Sequence, residues 1–372
     1  MKVVVLGCGF GGVEVASELR KRSKELDIFM IDRRTRFEYQ AAHPEILSGK
    51  VTAEGISDDL NKFATRISAK FINETVVNIE FEAKKVKTDE GRGIPYDFLV
   101  ISIGAEQTFF GIPGAEELSC SVNTLIGAVK TKEALDKLDY SKKISIAVIG
   151  AGWTGVEVAG ELVDYFRGRS KGREASAKIY LVEMMPRILP AFPKENVANL
   201  VGKFLSDRGV EILTGTAVQE VSEREITFKD GRKIPYDVII WTAGIKPNSL
   251  LERLDIPKER GWLKVDSYLR VEGMKDVFAV GDTVYFESEG VRSGQNVEEA
   301  ERQGKVAAEN IIRTIKGEKL KRYRPKNTIQ NPRAFLSLGS NKAVMYFGGF
   351  MFKPFAYRLK KFVERRYMKR FE

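Results

Sequence analysis

The sequence predicts an α/β protein made of two similar units, and a long internal repeat carries this prediction. Residues 6–19 (LGCGFGGVEVASEL) recur at 149–162 (IGAGWTGVEVAGEL) with nine identical positions. Each copy follows a short apolar run, which predicts a buried strand, and opens a stretch with the apolar spacing of a helix. The runs 96–104 (YDFLVISIG) and 236–244 (YDVIIWTAG) also resemble each other. The duplication therefore extends over whole domains, and both domains are predicted to be Rossmann-like.

Both copies place three glycines between the strand and the helix, at the spacing Gly-x-Gly-x-x-Gly. They are Gly7, Gly9 and Gly12 in the first copy and Gly150, Gly152 and Gly155 in the second. In such a turn the first glycine bends the chain, the second lets backbone N–H groups approach a pyrophosphate, and the third lets helix and strand pack closely. The negative ligand then sits at the positive end of the helix. The pattern predicts two dinucleotide sites.

An acidic residue follows each glycine motif at the end of the next predicted strand. Asp32 lies 20 residues after Gly12, where a carboxylate that binds the adenosine ribose is expected. The alternative is an ordinary polar residue that ends a strand. Glu183 lies 28 residues after Gly155, and a charged insert at 167–178 accounts for the longer spacing.

Glu183 also bears on the choice between the two pyridine nucleotides. A carboxylate at this position accepts hydrogen bonds from both ribose hydroxyls and repels a 2′-phosphate, so Glu183 favours NADH over NADPH. Arg187, four residues later, is a residue type that accommodates this phosphate, and it keeps NADPH open as an alternative.

The composition argues against several classes of protein. The 372 residues are 43% hydrophobic and 30% charged, which suits a globular protein of two or three domains. No run approaches the roughly 18 apolar residues of a membrane span. Met1 leads directly into the first predicted strand, so we expect no signal peptide and a cytoplasmic address. Cys8 and Cys120 lack the spacing of a disulfide scaffold or a metal site. We also expect no nucleic-acid partner, because no binding module for one is recognisable.

Most of the net charge of +10 is concentrated at the end of the chain. Residues 353–372 hold eight Lys or Arg and two Glu, which gives +6. A helix from Pro354 is predicted to be amphipathic. Its apolar face would hold Phe355, Ala356, Leu359, Phe362 and Val363, and its basic face Arg358, Lys361, Arg365 and Lys369. Such a helix is typical of a protein that lies on an anionic membrane surface. The alternative is a helix packed on the core with a solvated basic face.

The two glycine motifs, the two closing strands and a late Val-Gly-Asp at 280–282 resemble the two-dinucleotide flavoprotein disulfide reductase superfamily over nearly the whole chain. The resemblance implies an FAD-binding domain at 1–112 and 248–322, with an NADH-binding domain at 113–247 inserted into it. A C-terminal membrane-docking region at 323–372 would hold a hairpin and the amphipathic helix. By this resemblance FAD is bound by Gly7, Gly9, Phe10, Gly11, Gly12, Asp32, Arg33, Pro44, Gly104 and Asp282, and NADH by Gly150, Gly152, Thr154, Gly155, Glu183 and Gly244.

The cysteines narrow the resemblance further. The loop YQAAHPEIL at 39–47 has no cysteine, and none follows Cys120, so the chain lacks the thiols of disulfide reductases and of sulfide:quinone reductases. The runs 153–157 (WTGVE), 186–190 (PRILP) and 242–248 (TAGIKPN) are similar to type II NADH dehydrogenase. That family implies hydride transfer from NADH to FAD and two-electron reduction of a membrane quinone. It also implies a peripheral homodimer on the cytoplasmic side of the cell membrane.

The resemblance also implies candidate catalytic and quinone-binding residues. Glu157 is the family's acid near the junction of nicotinamide and flavin, but Glu14 is its counterpart in the first copy, and either acid could serve only to stabilise a helix start. His43 is a candidate proton donor, or a loop histidine that makes one hydrogen bond. The family's quinone helix reads Ala-Gln-x-Ala-x-x-Gln, and only half of it is kept here, at Ala300 and Gln303. The quinone candidates are Glu298, Gln303 and Lys342, the last in a predicted hairpin at 335–345.

Three other functions stay open at this point. The first is a soluble NAD(P)H-dependent reductase of ferredoxin or rubredoxin type with the same fold. The second is a relative of sulfide:quinone reductase that lacks the redox cysteines. The third is a flavin-bound scaffold or redox sensor without turnover. The basic tail and flavin bleaching by NADH distinguish these functions from a quinone reductase.

Overall fold

The structure is a computed structural model that describes residues 1–169, 177–348 and 350–372. Its α-helices, in chain order, are α1 (Phe10–Arg22), α2 (His43–Leu47), α3 (Leu60–Arg66), α4 (Ala115–Leu118), α5 (Leu125–Asp136), α6 (Trp153–Arg169), α7 (Glu195–Ser206), α8 (Ser249–Arg253), α9 (Val297–Lys316) and α10 (Ala356–Met368). Short 3₁₀ turns lie at Gln40–Ala42, Glu54–Ile56 and Gly281–Thr283. Most of the charged insert predicted at 167–178 lies outside the described residues.

The first unit is built on a five-stranded parallel sheet. Its order is Val277–Ala279, Phe98–Ile101, Lys2–Leu6, Asp27–Ile31 and Lys70–Ile72. The two strands at 98–101 and 277–279 are buried throughout, which is typical of parallel sheets covered by helices on both faces. The edge strand at 277–279 comes from a part of the chain far beyond the other four strands of this sheet.

The second unit repeats this plan with a four-stranded parallel sheet. Its order is Val238–Trp241, Ile144–Ile149, Ala177–Val182 and Val210–Leu213. All four strands lie in sequence between 98–101 and 277–279, which are neighbours in the first sheet. In each unit the glycine-motif strand is flanked by the closing strand and by the strand that ends in the acid. The α/β fold with two Rossmann-like units is confirmed.

Smaller antiparallel sheets complete both units. In each unit a three-stranded antiparallel meander lies in the chain just before the strand at 98–101 or 238–241 of the parallel sheet. The meander strands are Val76–Glu80, Lys85–Thr88 and Gly93–Pro95 in the first unit and Val218–Val221, Glu225–Phe228 and Lys233–Pro235 in the second. The pair Ala105–Gln107 and Ile245–Pro247 joins the two units. The remaining short strands are Arg36–Glu38, Ser57–Asp59, Lys258–Glu259, Trp262–Lys264, Val284–Tyr285, Glu287–Ser288 and Val291–Arg292.

The C-terminal region forms a small sheet and a final helix. The strands are Ala334–Ser337, Ala343–Phe347 and Phe350–Phe352, so the predicted hairpin is present and gains a third strand. Helix α10 begins two residues after Pro354, because Phe355 adopts a left-handed conformation with φ of 60°. None of the helices in the described ranges is long and apolar enough to cross a membrane.

Candidate functional site

The first glycine turn has little room for side chains at two positions and open space at the third. Gly7 has a φ of 83°, and a Cβ there would lie 2.4 Å from the carbonyl oxygen of Ser102. A Cβ on Gly12 would lie 1.9 Å from the carbonyl oxygen of Gly7. A Cβ on Gly9 would meet nothing within 4 Å. The open side of Gly9 fits the pyrophosphate of a dinucleotide.

The second glycine turn has the same geometry. Gly150 has a φ of 96°, and a Cβ on Gly155 would lie 1.8 Å from the Gly150 carbonyl oxygen. Gly152 again borders open space. Both glycine turns, called cradles from here on, therefore have tight contacts at the first and third glycines and open space at the second.

A hydroxyl group braces each cradle, and the sequence analysis did not single out either residue. Ser102 Oγ donates to the carbonyl of Gly7 at 2.7 Å, and Thr242 Oγ1 donates to the carbonyl of Gly150 at 2.9 Å. Both residues lie at equivalent positions just after the closing strands. The resemblance between the runs 96–104 and 236–244 was the signal that pointed to them.

The two predicted acids occupy equivalent buried positions. The Asp32 carboxylate accepts from the backbone N–H of Cys8 at 2.7 Å, and Glu183 accepts from the N–H of Ala151 at 2.9 Å. Cys8 and Ala151 are themselves equivalent, since each follows the first glycine of its motif. Each carboxylate is thus tied to the rim of its cradle, where a ribose would reach it.

The arginines near these acids differ in their contacts. Arg33 is exposed, and it is Arg34 whose backbone N–H donates to Asp32 at 2.9 Å. In the second unit the Arg187 guanidinium donates to the carbonyls of its own loop, including that of Phe192 at 2.6 Å. Because these bonds already engage Arg187, it is poorly placed to bind a 2′-phosphate.

The turn at Gly281–Thr283 is braced from two sides. The N–H of Gly104 donates to Thr283 Oγ1 at 2.8 Å, and the N–H of Gly281 donates to Gln303 Oε1 at 2.7 Å. Burial raises the pKa of the Asp282 carboxyl to about 6. A partly desolvated carboxyl on a braced turn suits a hydroxyl-rich ligand such as a ribityl chain.

The three quinone candidates lie in different settings. Gln303 is buried, and its Nε2 donates to Tyr323 Oη at 3.2 Å while its Oε1 accepts from Gly281. Glu298 is half-buried and forms an ion pair with Arg333. Lys342 is exposed at the turn of the C-terminal hairpin. The contacts of Gln303 therefore serve the Gly281–Thr283 turn directly.

His43 is buried between the two units. Its Nδ1 lies 3.0 Å from the carbonyl oxygen of Val122, and its Nε2 lies 3.8 Å from a carboxylate oxygen of Glu38. Burial lowers the pKa of His43 to about 4, so the ring is neutral near pH 7. The neighbouring Pro44 is buried as well. These contacts match the alternative interpretation, a histidine that makes one hydrogen bond.

Glu157 lies under the C-terminal region. Its Oε1 accepts from the Ser337 N–H at 2.9 Å and from Lys360 Nζ at 3.2 Å. Burial raises the pKa of Glu157, and Lys360 opposes this effect only in part. Thr154 and Gly155 precede it in the same helical turn, so Glu157 stands close to the second cradle. A largely buried acid with a raised pKa is a candidate for proton exchange.

Glu45 is a functional candidate that the sequence analysis missed. The side chain is 0% exposed and accepts from Lys360 Nζ at 2.9 Å and from Lys361 Nζ at 3.1 Å. Burial alone would raise the pKa of Glu45, but the two lysines bring it below its ordinary value. Its partners lie more than 300 residues away in sequence, so no local pattern could have indicated them.

The C-terminal helix has an outer and an inner face, and the prediction of which residues lie on each face was partly wrong. Phe355, Leu359, Phe362 and Val363 are exposed, together with Phe347 and Phe350 of the neighbouring sheet. Ala356, predicted on this apolar face, is instead buried against the protein. Lys361, predicted on the basic outer face, instead contacts Glu45 and Glu364. The helix is rotated by the buried carboxylates, which bind its inward-facing lysines.

The end of the chain packs into the first unit. Tyr367 and Phe371 are buried among aromatic rings, and the Phe37–Phe371 and Phe10–Tyr367 ring centroids lie 4.6 Å and 5.0 Å apart. Phe10 belongs to the first glycine motif. The tail is therefore part of the core of the first unit.

Comparison with known proteins places this architecture in a family. Residues 1–304 match the family described as pyridine nucleotide-disulphide oxidoreductase. A type II NADH:quinone oxidoreductase of Staphylococcus saprophyticus is 28% identical over 337 residues, covering 85% of this chain and 83% of the relative.

Two solved structures share the fold. A sulfide:quinone oxidoreductase from Aquifex aeolicus aligns with a TM-score of 0.87 and 22% identity, covering 100% of this chain and 91% of its own. NDH2 from Plasmodium falciparum in complex with NADH aligns with a TM-score of 0.84 and 18% identity, over 98% and 94% of the two chains.

The family match confirms the predicted class of enzyme, an oxidoreductase. It also confirms the two predicted classes of cofactor, a flavin and a pyridine nucleotide. The chain belongs to the pyridine nucleotide-disulphide oxidoreductase family.

Proposed function

We propose that this protein is an NADH:quinone oxidoreductase with FAD in the first cradle and NADH in the second. The proposal rests on the pair of equivalent cradles. Each cradle holds the carboxylate of one acidic side chain, Asp32 or Glu183, by a backbone hydrogen bond. The chain is also related to type II NADH:quinone oxidoreductases. FAD, when bound, accepts a hydride from NADH and passes two electrons to a quinone. We keep the division into an FAD domain at 1–112 and 248–322, an NADH domain at 113–247 and a C-terminal region at 323–372.

The residues of the chain bind and orient both cofactors. Backbone N–H groups beside Gly9 and Gly152 receive the two pyrophosphates, while Asp32 and Glu183 accept hydrogen bonds from the ribose hydroxyls. Glu183 favours NADH over NADPH, because its carboxylate repels a 2′-phosphate and Arg187 is engaged by carbonyl groups of its own loop. Asp282 receives the ribityl chain or phosphate of the flavin.

Reduction of a quinone to a quinol consumes two protons, and the chain must supply a route for them. Glu157 is the proposed proton-exchanging group, since burial raises its pKa and Lys360 lies at 3.2 Å. Gln303, Glu298 and Lys342 stay predictions as quinone contacts. The Gln303 side chain would then have two roles, because it would contact the quinone and it also accepts a hydrogen bond from the Gly281–Thr283 turn.

The outer face of α10 is the proposed membrane contact. Phe355 is 73% exposed and Phe362 is 60% exposed, and Arg358, Arg365 and Lys369 lie exposed beside them. Aromatic side chains at an interface combined with basic residues bind anionic leaflets, each basic residue contributing about 1 kcal/mol. The enzyme would be peripheral and reach a membrane quinone from the cytoplasmic side. A homodimer remains a prediction from the resemblance.

A soluble reductase of ferredoxin or rubredoxin type is the second candidate function. It shares both cradles and differs in having no reason to expose apolar side chains on its last helix. Five of the exposed large side chains on this surface are Phe347, Phe350, Phe355, Leu359 and Phe362. A patch of this kind marks an interaction surface and favours the membrane enzyme.

Point substitutions test the membrane contact better than truncation does. Removing residues after Lys353 would expose Phe37 and deprive Glu45 of its lysine partners, so loss of activity would have no clear cause. The double variant F355S/F362S changes only exposed side chains. It should lose binding to vesicles of phosphatidylglycerol and phosphatidylcholine, and lose reduction of a long-chain quinone in those vesicles.

The same variant should reduce a water-soluble quinone at the parental rate. I126S is the matched control, because Ile126 is 67% exposed on α5, away from the C-terminal region. This control should bind vesicles normally. Undiminished vesicle binding by F355S/F362S would contradict the membrane contact, and failure of the parent protein to reduce either quinone would contradict the proposed function itself.

A further inference from the structure

The two copies of the repeat place a glutamate at the same point beside each cradle. Glu14 lies two residues after Gly12, and Glu157 lies two residues after Gly155. Each is therefore the fifth residue of the helix, α1 or α6, whose N-terminus forms the cradle. Any group that fixes both glutamates also fixes the two cradles relative to each other.

One short segment at the end of the chain reaches both glutamates. Lys360 Nζ lies 3.2 Å from Glu157 Oε1, and Arg370 Nη1 lies 2.5 Å from Glu14 Oε2. Glu14 is 2% exposed. Arg370 also approaches Glu301 of α9 at 3.5 Å. Residues 356–371, named here the C-terminal clamp, thus make one ion pair with each half of the repeat.

Apolar contacts anchor the clamp at its end. Tyr367 and Phe371 pack against Phe10, Phe37 and Phe63, with the Phe63–Phe371 centroids 5.0 Å apart. The Arg370 guanidinium stacks over the Tyr367 ring at 3.8 Å. These contacts hold Arg370 in place, so its ion pair with Glu14 is made by a rigid segment.

We propose that the C-terminal clamp sets the distance and orientation between the two cradles, with Arg370 and Lys360 as positioning residues for hydride transfer. Hydride transfer requires the nicotinamide and the flavin to meet at near-contact distance, and a shift of about 1 Å can lower the rate a hundredfold. Through Tyr367 the clamp also contacts Phe10 of the first glycine motif. Its effect passes through Glu14 and Glu157, which belong to the two helices.

The clamp goes beyond the proposed function. It rests only on the assignment of FAD to the first cradle and NADH to the second. It is independent of the quinone and of the membrane, because reduction of the flavin by NADH involves neither. Failure of the protein to reduce a quinone would therefore not contradict the proposed role of the C-terminal clamp.

The test concentrates on Arg370, because Lys360 also contacts the proposed proton-exchanging group. R370Q, R370K, E14Q and the double variant E14Q/R370Q are compared with the parent protein under anaerobic single turnover. K305Q is the matched control. Lys305 Nζ also approaches Glu14, at 3.6 Å, but from α9 within the same unit.

The limiting rate of flavin bleaching is measured against NADH concentration. R370Q should slow the limiting rate about tenfold while the half-saturating NADH concentration stays within about twofold. The double variant should be no slower than R370Q, since both changes remove the same pair. R370K should recover part of the rate, and K305Q should keep the parental rate.

Hydrogen exchange of the protein without cofactors gives a second readout. Backbone amides of 13–17 in α1 should exchange faster in R370Q and at the parental rate in K305Q, because the Glu14–Arg370 pair ties this helix to the C-terminal clamp. Should R370Q fold poorly, the charge-neutral double variant E14Q/R370Q takes its place. Parental bleaching rates and parental exchange of α1 in a folded variant without the pair would overturn the clamp.

Discussion

The two glycine turns are nearly identical as cradles and differ in what covers the helices that follow them. In the first unit α1 packs against α9, where a Cβ on Gly304 would lie 2.9 Å from Glu14 Cβ. In the second unit α6 packs against the C-terminal hairpin, where a Cβ on Gly160 would lie 2.5 Å from the Leu338 carbonyl carbon. The motif thus specifies the ligand cradle, and the tertiary neighbours specify what equivalent residues do.

Glu14 and Glu157 show this difference most clearly. Both occupy the same motif position, yet Glu14 binds basic groups of α9 and the chain end, while Glu157 binds Lys360 and the Ser337 N–H. Burial raises the pKa of Glu157. The duplication alone weakens the case for a catalytic Glu157, and its distinct surroundings restore that case.

The largest expected effect comes from adding a methyl group to the third glycine of each motif. G12A would bring a Cβ to 1.9 Å from a carbonyl oxygen, and G155A to 1.8 Å, so each cradle must deform. G12A should lose FAD on gel filtration. G155A should keep FAD, measured by its absorbance, but show no bleaching by NADH.

G202A in α7 is the matched control, because a Cβ there would meet only side-chain atoms at 3.5 Å or more. This variant should keep both functions. If G155A lost FAD and G12A lost only NADH, the assignment of the cofactors to the two cradles would be reversed.

A smaller effect is expected from neutralising the acids. D32N and E183Q each remove a charge-assisted hydrogen bond to a ribose, which costs about 1.5–3 kcal/mol, or roughly 10- to 100-fold in affinity. E183Q should weaken NADH binding by this factor, measured by titration, and narrow the preference for NADH over NADPH. D32N should instead weaken the binding of FAD.

E211Q controls for loss of charge on the same sheet, since Glu211 forms an exposed ion pair with Lys178. Its NADH affinity should equal that of the parent. An unchanged NADH affinity in E183Q would remove the basis for the second cradle's nucleotide specificity.

The smallest effect concerns the contact between the units at His43. Burial lowers the pKa of His43 to about 4, so the unfolded chain takes up this proton first as the pH falls below about 6.5. The contribution of His43 to stability is complete above pH 6.5 and is lost towards pH 4. Lowering the pH from 6.5 to 5.5 should therefore reduce the free energy of unfolding by about 1 kcal/mol through His43.

H43N keeps a hydrogen-bonding side chain without this titration. Its unfolding free energy, measured with urea at pH 6.5 and 5.5, should change less than that of the parent. H43N should also bleach with NADH at the parental rate. A large loss of hydride transfer in H43N would return His43 to its predicted catalytic role.

The geometry of the two glycine turns could be predicted from the sequence because it is local. The glycines, Asp32 and Glu183 are set by spacing within a strand, a turn and a helix, so one stretch of chain contains the whole requirement. Ser102 and Thr242 were equally local, and the echo of the closing strands could have revealed them.

The surroundings of the cradles could not be predicted in the same way. Glu45 forms ion pairs with Lys360 and Lys361, and Glu14 forms one with Arg370. Each of these pairs joins residues more than 300 positions apart in sequence. The phase of α10 was misjudged at Ala356 and Lys361 for the same reason. Apolar periodicity identifies a helix, but buried charges elsewhere in the fold decided which side faces inward.

The most direct test of the whole account is a double-mixing experiment without oxygen. The flavin is first bleached with one equivalent of NADH and then mixed with a water-soluble quinone while its absorbance is followed. We expect rapid bleaching and then full recovery of the flavin absorbance, with one quinone reduced per flavin. A flavin that stays bleached in the presence of quinone would contradict it, as would a flavin that NADH does not bleach.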